Sequence, residues 1–361
     1  MKLGILCGGG DCPGLNAVIR AVVKTACKQN AEVIGFYDGY KGLIEMHCTV
    51  MSPNNVRGIL PKGGTILGTT NRDNPFHYPV EKNGEIVYED VSDKVIANST
   101  MLGLDCLIVI GGDGSMAISY ELAEKGLPVI GVPKTIDNDL PVTDRTFGFE
   151  TAVNTATDAI DKLHTTAESH HRAMILEVMG RDAGFIALYA GIAGGADVIL
   201  IPEISFNVRG ILKKIESRKK RGRAFSIIVV AEGAKLNGEK VISGENVGNP
   251  YNPEKLGGIG NAVAALLKEE GGLETRCIVL GHLQRGGSPA PFDRILSSRY
   301  GVAAVRAAFD GRRNVIVCLK NDRIKLVPIG ESVRVPKRVD PCGELVQTAR
   351  DLGISFGDDV L

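Results

Sequence analysis

Two apolar runs, residues 107–110 (Leu-Ile-Val-Ile) and 128–132 (Pro-Val-Ile-Gly-Val), each stop at a polar loop: GGDGS at 111–115 and PKTIDND at 133–139. Short apolar runs bounded by turn residues have the length of strands buried on both faces. The same unit recurs along the chain. Residues 3–7, 33–37, 104–110, 129–132, 173–178, 198–201, 226–231, 277–280 and 315–319 read as strands. Residues 15–29, 116–125, 155–168, 184–193, 208–221 and 295–309 read as helices between them. Ile259, Ala262, Val263, Leu266 and Leu267 mark a further helix by their i, i+3, i+4, i+7, i+8 spacing.

Alternating strands and helices predict an α/β fold of largely parallel sheets sandwiched by helices, in which ligands bind beyond the carboxyl ends of the strands. The polar clusters fall there. Residues 74–90 and 234–256 read as surface insertions, and the last 25 residues or so carry weak periodicity.

At 361 residues the chain exceeds one ordinary domain, so two lobes are expected. Lysine plus arginine and aspartate plus glutamate both total 42, which argues against a bulk binder of nucleic acid or membrane surface. Forty-five glycines and no tryptophan fit a glycine-punctuated α/β protein better than an aromatic-rich sandwich. The eight cysteines form no CxxC pair and no zinc-like spacing. They read as reduced thiols of a cytoplasmic protein. The apolar stretch after Lys2 breaks at Gly8-Gly9-Gly10, so no signal peptide is read there. No apolar window approaches the roughly 18 residues of a membrane span.

GGGDCPG at 8–14 lies between a strand and a helix. Glycines there let backbone N–H groups approach phosphate oxygens, and a plain tight turn explains them equally well. GGDGS places Asp113 among glycines, where a carboxylate serves either as a Mg²⁺ ligand or as a cap on the next helix. PKTIDND sets Thr135, Asp137 and Asp139 on alternate positions. In extended chain Asp137 and Asp139 would share a face, one taking a proton from an alcohol; an Asx-turn is the alternative. MGRDAG at 179–184 and GHLQRGG at 281–287 each put cations in a loop after a strand, suited to a phosphate dianion. The basic run 213–223 reads as the solvated face of a helix.

GGDCPGLNAVIR, GGTILGTTNR, IGGDGS, PKTIDND, TAESHHR, EVMGR, VAEGA and LGHLQRGG together resemble the 6-phosphofructokinase family, in its order, across roughly residues 1–305. The resemblance implies two Rossmann-like lobes. Residues 1–148 plus 284–335 would bind the donor, 149–283 would bind the sugar phosphate, and 336–361 has no clear place. It implies Mg²⁺-dependent transfer of a phosphoryl group to the 1-hydroxyl of fructose 6-phosphate. Asp137 would be the base, and Asp113 would hold the metal. Gly10, Gly112, Gly114 and Ser115 would surround the donor phosphates, with Arg72 and Lys134 nearby. Thr135 and Arg181 would flank the transferring group, and Ile136 would be among the substrate-binding positions. Met179, Gly180, Arg181 and Glu232 would hold the sugar, and His282, Arg285, Arg172 and Arg276 its 6-phosphate. In the family Arg172 and Arg276 reach over from a neighbouring subunit, so a homo-oligomer is implied, a dimer or a tetramer.

Two positions bear on the donor. Pyrophosphate users of this family have aspartate where this chain has Gly114, and Lys134 resembles those same enzymes. Glycine leaves room for an α-phosphate that a carboxylate would repel, so ATP is the expected donor and pyrophosphate the alternative. A non-catalytic nucleotide-binding regulator would be expected to lack the base, yet Asp113 and Asp137 are both present.

Overall fold

The structure is a computed structural model that describes residues 1–82, 84–241 and 256–358. The chain opens with β1 (Lys2–Cys7), α1 (Leu15–Lys28), β2 (Glu32–Phe36), α2 (Tyr40–Glu45) and β3 (Cys48–Met51). A hairpin of β4 (Tyr78–Lys82) and β5 (Glu85–Glu89) precedes α3 (Ser92–Met101), β6 (Cys106–Gly111) and α4 (Asp113–Glu124). Then come β7 (Val129–Thr135), β8 (Phe147–Gly148), α5 (Phe149–His170), β9 (Ala173–Val178), α6 (Phe185–Ala193) and β10 (Val198–Leu200). α7 (Val208–Lys220), β11 (Ser226–Ala231), β12 (Lys235–Leu236), β13 (Glu239–Lys240), α8 (Ile259–Gly271) and β14 (Thr275–Val279) follow. The chain ends through α9 (Pro291–Phe309), β15 (Val315–Lys320), β16 (Arg323–Pro328) and α10 (Glu344–Asp351).

Two compact units emerge: Met1–Thr151 with Arg285–Pro336, and Ala152–Gln284 with Lys337–Leu361. The C-terminal segment, unplaced by sequence, therefore belongs to the second unit. In the first unit the sheet runs β16-β15-β7-β6-β1-β2-β3, with β8 paired to β7. Its inner pairings are parallel, and its two outermost, β15–β16 and β2–β3, are antiparallel. The central strands are buried on both faces, with Leu6, Val109 and Val129 fully covered and packed with Phe36, Met116 and Ile316. The insertion at 74–90 folds as the β4–β5 hairpin, none of whose described strand residues is buried.

α5 starts at Phe149, six residues before the sequence expectation, because Phe149, Ala152 and Val153 bury its first turn. Its first N–H groups need outside acceptors. Asp293 on α9 supplies one: its Oδ2 accepts from the Thr151 N–H at 2.8 Å and the Thr151 hydroxyl at 2.5 Å. Burial pushes the Asp293 carboxyl up from the ordinary 3.8 to about 6. A carboxyl with a raised folded-state pKa binds its proton more tightly when folded. The resulting stability is fully present below about pH 4 and is lost as pH rises through about 6, up to roughly 3 kcal/mol. Urea midpoints of the wild type should thus fall between about pH 4 and 6 relative to Asp293→Asn. Parallel midpoint curves would refute this.

The second unit has the all-parallel sheet β10-β11-β9-β14. Ile175, Ile228 and Val230 pack under Ile211 of α7 and Ile259, Val263 and Leu267 of α8. Asn207 caps α7 through a bond from the Gly210 N–H at 2.8 Å. Gly258 has no side chain with which to cap α8, and the buried Glu177 of β9 does so, accepting from Gly258 and Gly260 at 3.1 and 2.8 Å. Of the expected insertion at 234–256, the described part forms the β12–β13 hairpin; residues 242–255 lie outside the described residues. The last described segment adds a parallel bridge, Val198 to Ser355, beside β10, and buries Phe356 fully.

Candidate active site

β7, β6 and β1 are neighbours and parallel, so the loops leaving their carboxyl ends stand side by side. These are PKTIDND, GGDGS and GGGDCPG, the three segments the sequence singled out.

In the first loop of the chain, two of the glycine donors are already used within the protein. The Gly8 N–H donates to Ile110 O at 2.8 Å and the Gly9 N–H to Thr70 O at 3.0 Å. The Thr69 hydroxyl donates to Gly9 O at 2.6 Å. The loop is therefore anchored on β6 and on the GTTNR segment. Further on, Lys134 Nζ donates to Gly10 O at 2.5 Å and Arg285 Nη1 to Asp11 O at 3.1 Å. With those carbonyls turned to cations, the N–H groups of Gly10 and Asp11 have no acceptor among the described residues and can meet an anion. Lys134 is 4% exposed. Burial pushes its ammonium below the ordinary lysine range; the Arg285 charge adds to that, while Asp137 opposes it.

Thr135 ends β7, and the chain then bends. The Thr135 hydroxyl accepts from the Asp137 N–H at 3.0 Å and lies 3.3 Å from Asp137 Oδ2, to which it donates. Asn138 adopts φ 54, and its Oδ1 accepts from the Thr146 N–H at 3.0 Å. The expectation that Asp137 and Asp139 share a face fails here, because a left-handed residue between them breaks strand alternation. Asp137 is 5% exposed and Asp139 half-buried. The Ile136 side chain is fully covered, so only its backbone can meet a ligand.

GGDGS forms the start of α4, with Gly112 before it and Asp113 as its first residue. The first intrahelical bond is Met116 N–H to Gly112 O at 2.9 Å, which leaves the preceding N–H groups unpaired in the helix. A Cβ on Gly111 would come within 2.2 Å of the Ser115 Cβ, and one on Gly8 within 2.6 Å of its hydroxyl. Both glycines therefore exist to admit Ser115. Gly114 differs: it has no positive φ, is exposed, and its Cβ would meet nothing within 4 Å. Asp113 is exposed, and among the described residues no donor to its carboxylate is seen. No group of three metal-ligating side chains occurs among the described residues. A single open carboxylate fits Mg²⁺, which typically uses one or two carboxylates and completes its shell with phosphate oxygens and water. Arg72 is also exposed, and its backbone N–H donates to the Thr70 hydroxyl at 3.2 Å.

In the second unit β9 lies between β11 and β14, so the loops carrying Met179-Gly180-Arg181, Glu232 and His282 leave adjacent strand ends. Glu232 Oε1 accepts from the Gly180 and Arg181 N–H groups at 3.2 and 3.0 Å. A Cβ on Gly233 would sit 1.8 Å from Arg181 O, so only glycine permits that approach. Arg181 itself takes φ 48, with its side chain exposed. The loop is thus preset, with one Glu232 oxygen spent on holding it. Met179 is half-buried, and His282 is exposed on a 3-10 helix, Gly281–Arg285. Arg172 and Arg276 both contact Glu274, at 2.6 and 3.1 Å. Sequence reasoning passed over Glu274, although it stands two residues before Arg276, the spacing that puts side chains on one face of a strand.

Glycine-anchored loops over a buried ammonium, beside a covered carboxylate on a closed turn, define an α/β enzyme that handles phosphates. The phosphofructokinase family model matches residues 2–308, and the chain belongs to that family. It is 51% identical to an ATP-dependent 6-phosphofructokinase 2 of Clostridium perfringens, over 99% of this chain and 98% of that one. It is 52% identical to an ATP-dependent 6-phosphofructokinase of Chloroflexus aggregans, again over 99% and 98%. Among solved structures, phosphofructokinase from Saccharomyces cerevisiae superposes with a TM-score of 0.76 at 31% identity, covering 99% of this chain and 48% of that chain. The chain therefore spans about half of the yeast one.

Proposed function

We propose that the protein is an ATP-dependent 6-phosphofructokinase, a kinase of glycolysis that converts fructose 6-phosphate to fructose 1,6-bisphosphate. The observation that carries this reading is Asp137: a carboxylate 5% exposed, fixed through Thr135 at the end of a central strand next to the Lys134-braced loop.

Asp137 accepts the proton of the sugar 1-hydroxyl as its oxygen bonds to the γ-phosphorus, and the bond from that phosphorus to the ADP oxygen breaks. Thr135 keeps the carboxylate aimed. Gly10, Gly112, Gly114 and Ser115 line the donor phosphates with backbone donors and open space, and Lys134 and Arg72 add positive charge. Asp113 would hold Mg²⁺, which would supply charge neutralisation at the donor phosphates. Arg181 faces the transferring group, while Met179, Gly180 and Glu232 take the sugar. His282, Arg285, Arg172 and Arg276 take the 6-phosphate, charge-assisted and in the arginines' case forked. Support for ATP as donor comes from Gly114, where neither packing nor backbone strain calls for glycine.

The second reading, pyrophosphate as donor, rests on Lys134, whose ammonium serves either anion. A coupled assay with fructose 6-phosphate, Mg²⁺ and each donor tests the choice. A higher kcat/KM with ATP is expected, and a preference for pyrophosphate would reverse the assignment.

A homo-oligomer is part of this proposal, because Arg172 and Arg276 serve a neighbouring subunit in the family. The open edge strand β14, with Val279 51% exposed and Leu283 beyond it 68% exposed, supports that assembly. A cytoplasmic setting is consistent with eight free cysteines. Among the described residues no helix is long and apolar enough to cross a membrane.

A further inference from the structure

Of the arginines assigned to the 6-phosphate, Arg172 and Arg276 come from separate segments, the turn before β9 and the edge strand β14. Two guanidinium groups brought together repel one another. Here a single oxygen separates them: Glu274 Oε1 lies 2.6 Å from Arg172 Nη2 and 3.1 Å from Arg276 Nη2. The backbone of Glu274 is fixed as well, its carbonyl accepting from the Ala173 N–H at 3.1 Å. Arg276 Nη1 turns to Thr275 O at 2.8 Å, and Arg172 Nε is buried with no hydrogen-bond partner. Each terminal nitrogen of a guanidinium carries two hydrogens, so one bond to Glu274 leaves it a further donor for a phosphate. The hydrogen bond from Arg172 holds the Glu274 carboxyl below the usual range, so it stays ionised at neutral pH. Since Glu274 is exposed, the pair contributes little to folding. Its consequence is where the arginines stand.

We propose that Glu274 is a positioning residue that joins Arg172 and Arg276 into one preset receptor for the sugar 6-phosphate, an inference that rests on the phosphofructokinase reading of those two arginines. All three groups belong to one chain, so the receptor is carried whole whether it serves its own chain's sugar or that of a second copy.

Glu274→Gln keeps an acceptor oxygen but removes the charge that binds both cations. Two long side chains must then be ordered at each binding event, so KM for fructose 6-phosphate should rise about tenfold. Both kcat and KM for ATP should move less than about twofold, and the thermal midpoint should hold. In an Arg172→Ala background the same substitution should change KM for the sugar less than about twofold, because no pair of arginines is left to join. Arg172→Ala and Arg276→Ala separate the two layers of the argument. If neither raises KM for fructose 6-phosphate, the assignment of the arginines falls. If both do, and Glu274→Gln leaves that KM unchanged or lowers it, the positioning role alone is overturned. An equal rise in KM for ATP would also overturn it, by showing a general structural effect.

Discussion

Gly114→Asp should yield a protein that folds at least as well as the wild type and uses ATP between about ten and a thousand times less efficiently. Two like charges about 4 Å apart repel by about 4 kcal/mol at an effective dielectric near 20, which is about three decades in rate, and exposure of the site screens part of it. Inside the chain the substitution meets no obstacle, since a Cβ at 114 touches nothing within 4 Å. At the second position of α4 an aspartate also gains about 0.3–1 kcal/mol from the helix dipole, and leaving glycine saves up to about 1 kcal/mol more. Stability and activity should therefore move in opposite directions. Gly114→Ala supplies the control, with the gain from leaving glycine alone and no added charge. The checks are kcat/KM for ATP and the thermal midpoint of each variant. Unchanged ATP kinetics in Gly114→Asp would remove the steric and electrostatic argument for the donor.

Asp137→Asn should lower kcat by about 10²–10⁴-fold, the usual worth of a positioned general base. The amide keeps the size of the side chain and can accept from Thr135, so the turn through Asn138 and Thr146 survives. KM for both substrates should shift only a few-fold. Steady-state kinetics with circular dichroism of the variant separates this from misfolding. A kcat within about threefold of wild type would show that another group takes the proton.

Much of the first unit's site was legible because its motifs follow apolar runs, and parallel neighbours bring their ends together. GGGDCPG, GGDGS and PKTIDND needed only the order β7-β6-β1 to become one surface. What escaped depends on single dihedrals or distant partners. Asparagine is suited to a left-handed turn, which the Asx-turn alternative allowed for, but local sequence does not choose between that and extended chain, and that one residue breaks the alternation between Asp137 and Asp139. The capture of the Gly8 and Gly9 N–H groups by Ile110 and Thr70 is likewise tertiary. So is the hold of Glu232 on the Arg181 loop, although the glycine after it, pressed against Arg181 O, is a mark of close approach.

Elements were missed where burial leaves no periodic trace. β16 alternates Arg323, Lys325 and Val327 with Ile324 and Leu326, and none of its residues is buried, as befits an antiparallel edge. The β4–β5 hairpin has no buried residue among those described and reads as loop for the same reason. α10 buries only Val346 and Ala349, too narrow a stripe to stand out in the C-terminal segment.

The central claim, that this site moves the terminal phosphoryl group of ATP onto the first carbon's hydroxyl, is tested most directly by phosphorus NMR of a reaction with fructose 6-phosphate, Mg²⁺ and ATP. The account predicts a second phosphomonoester resonance, from C1 of fructose 1,6-bisphosphate, growing in step with ADP. A spectrum in which ATP and the sugar phosphate stay unchanged, while pyrophosphate supports the same product, would contradict it.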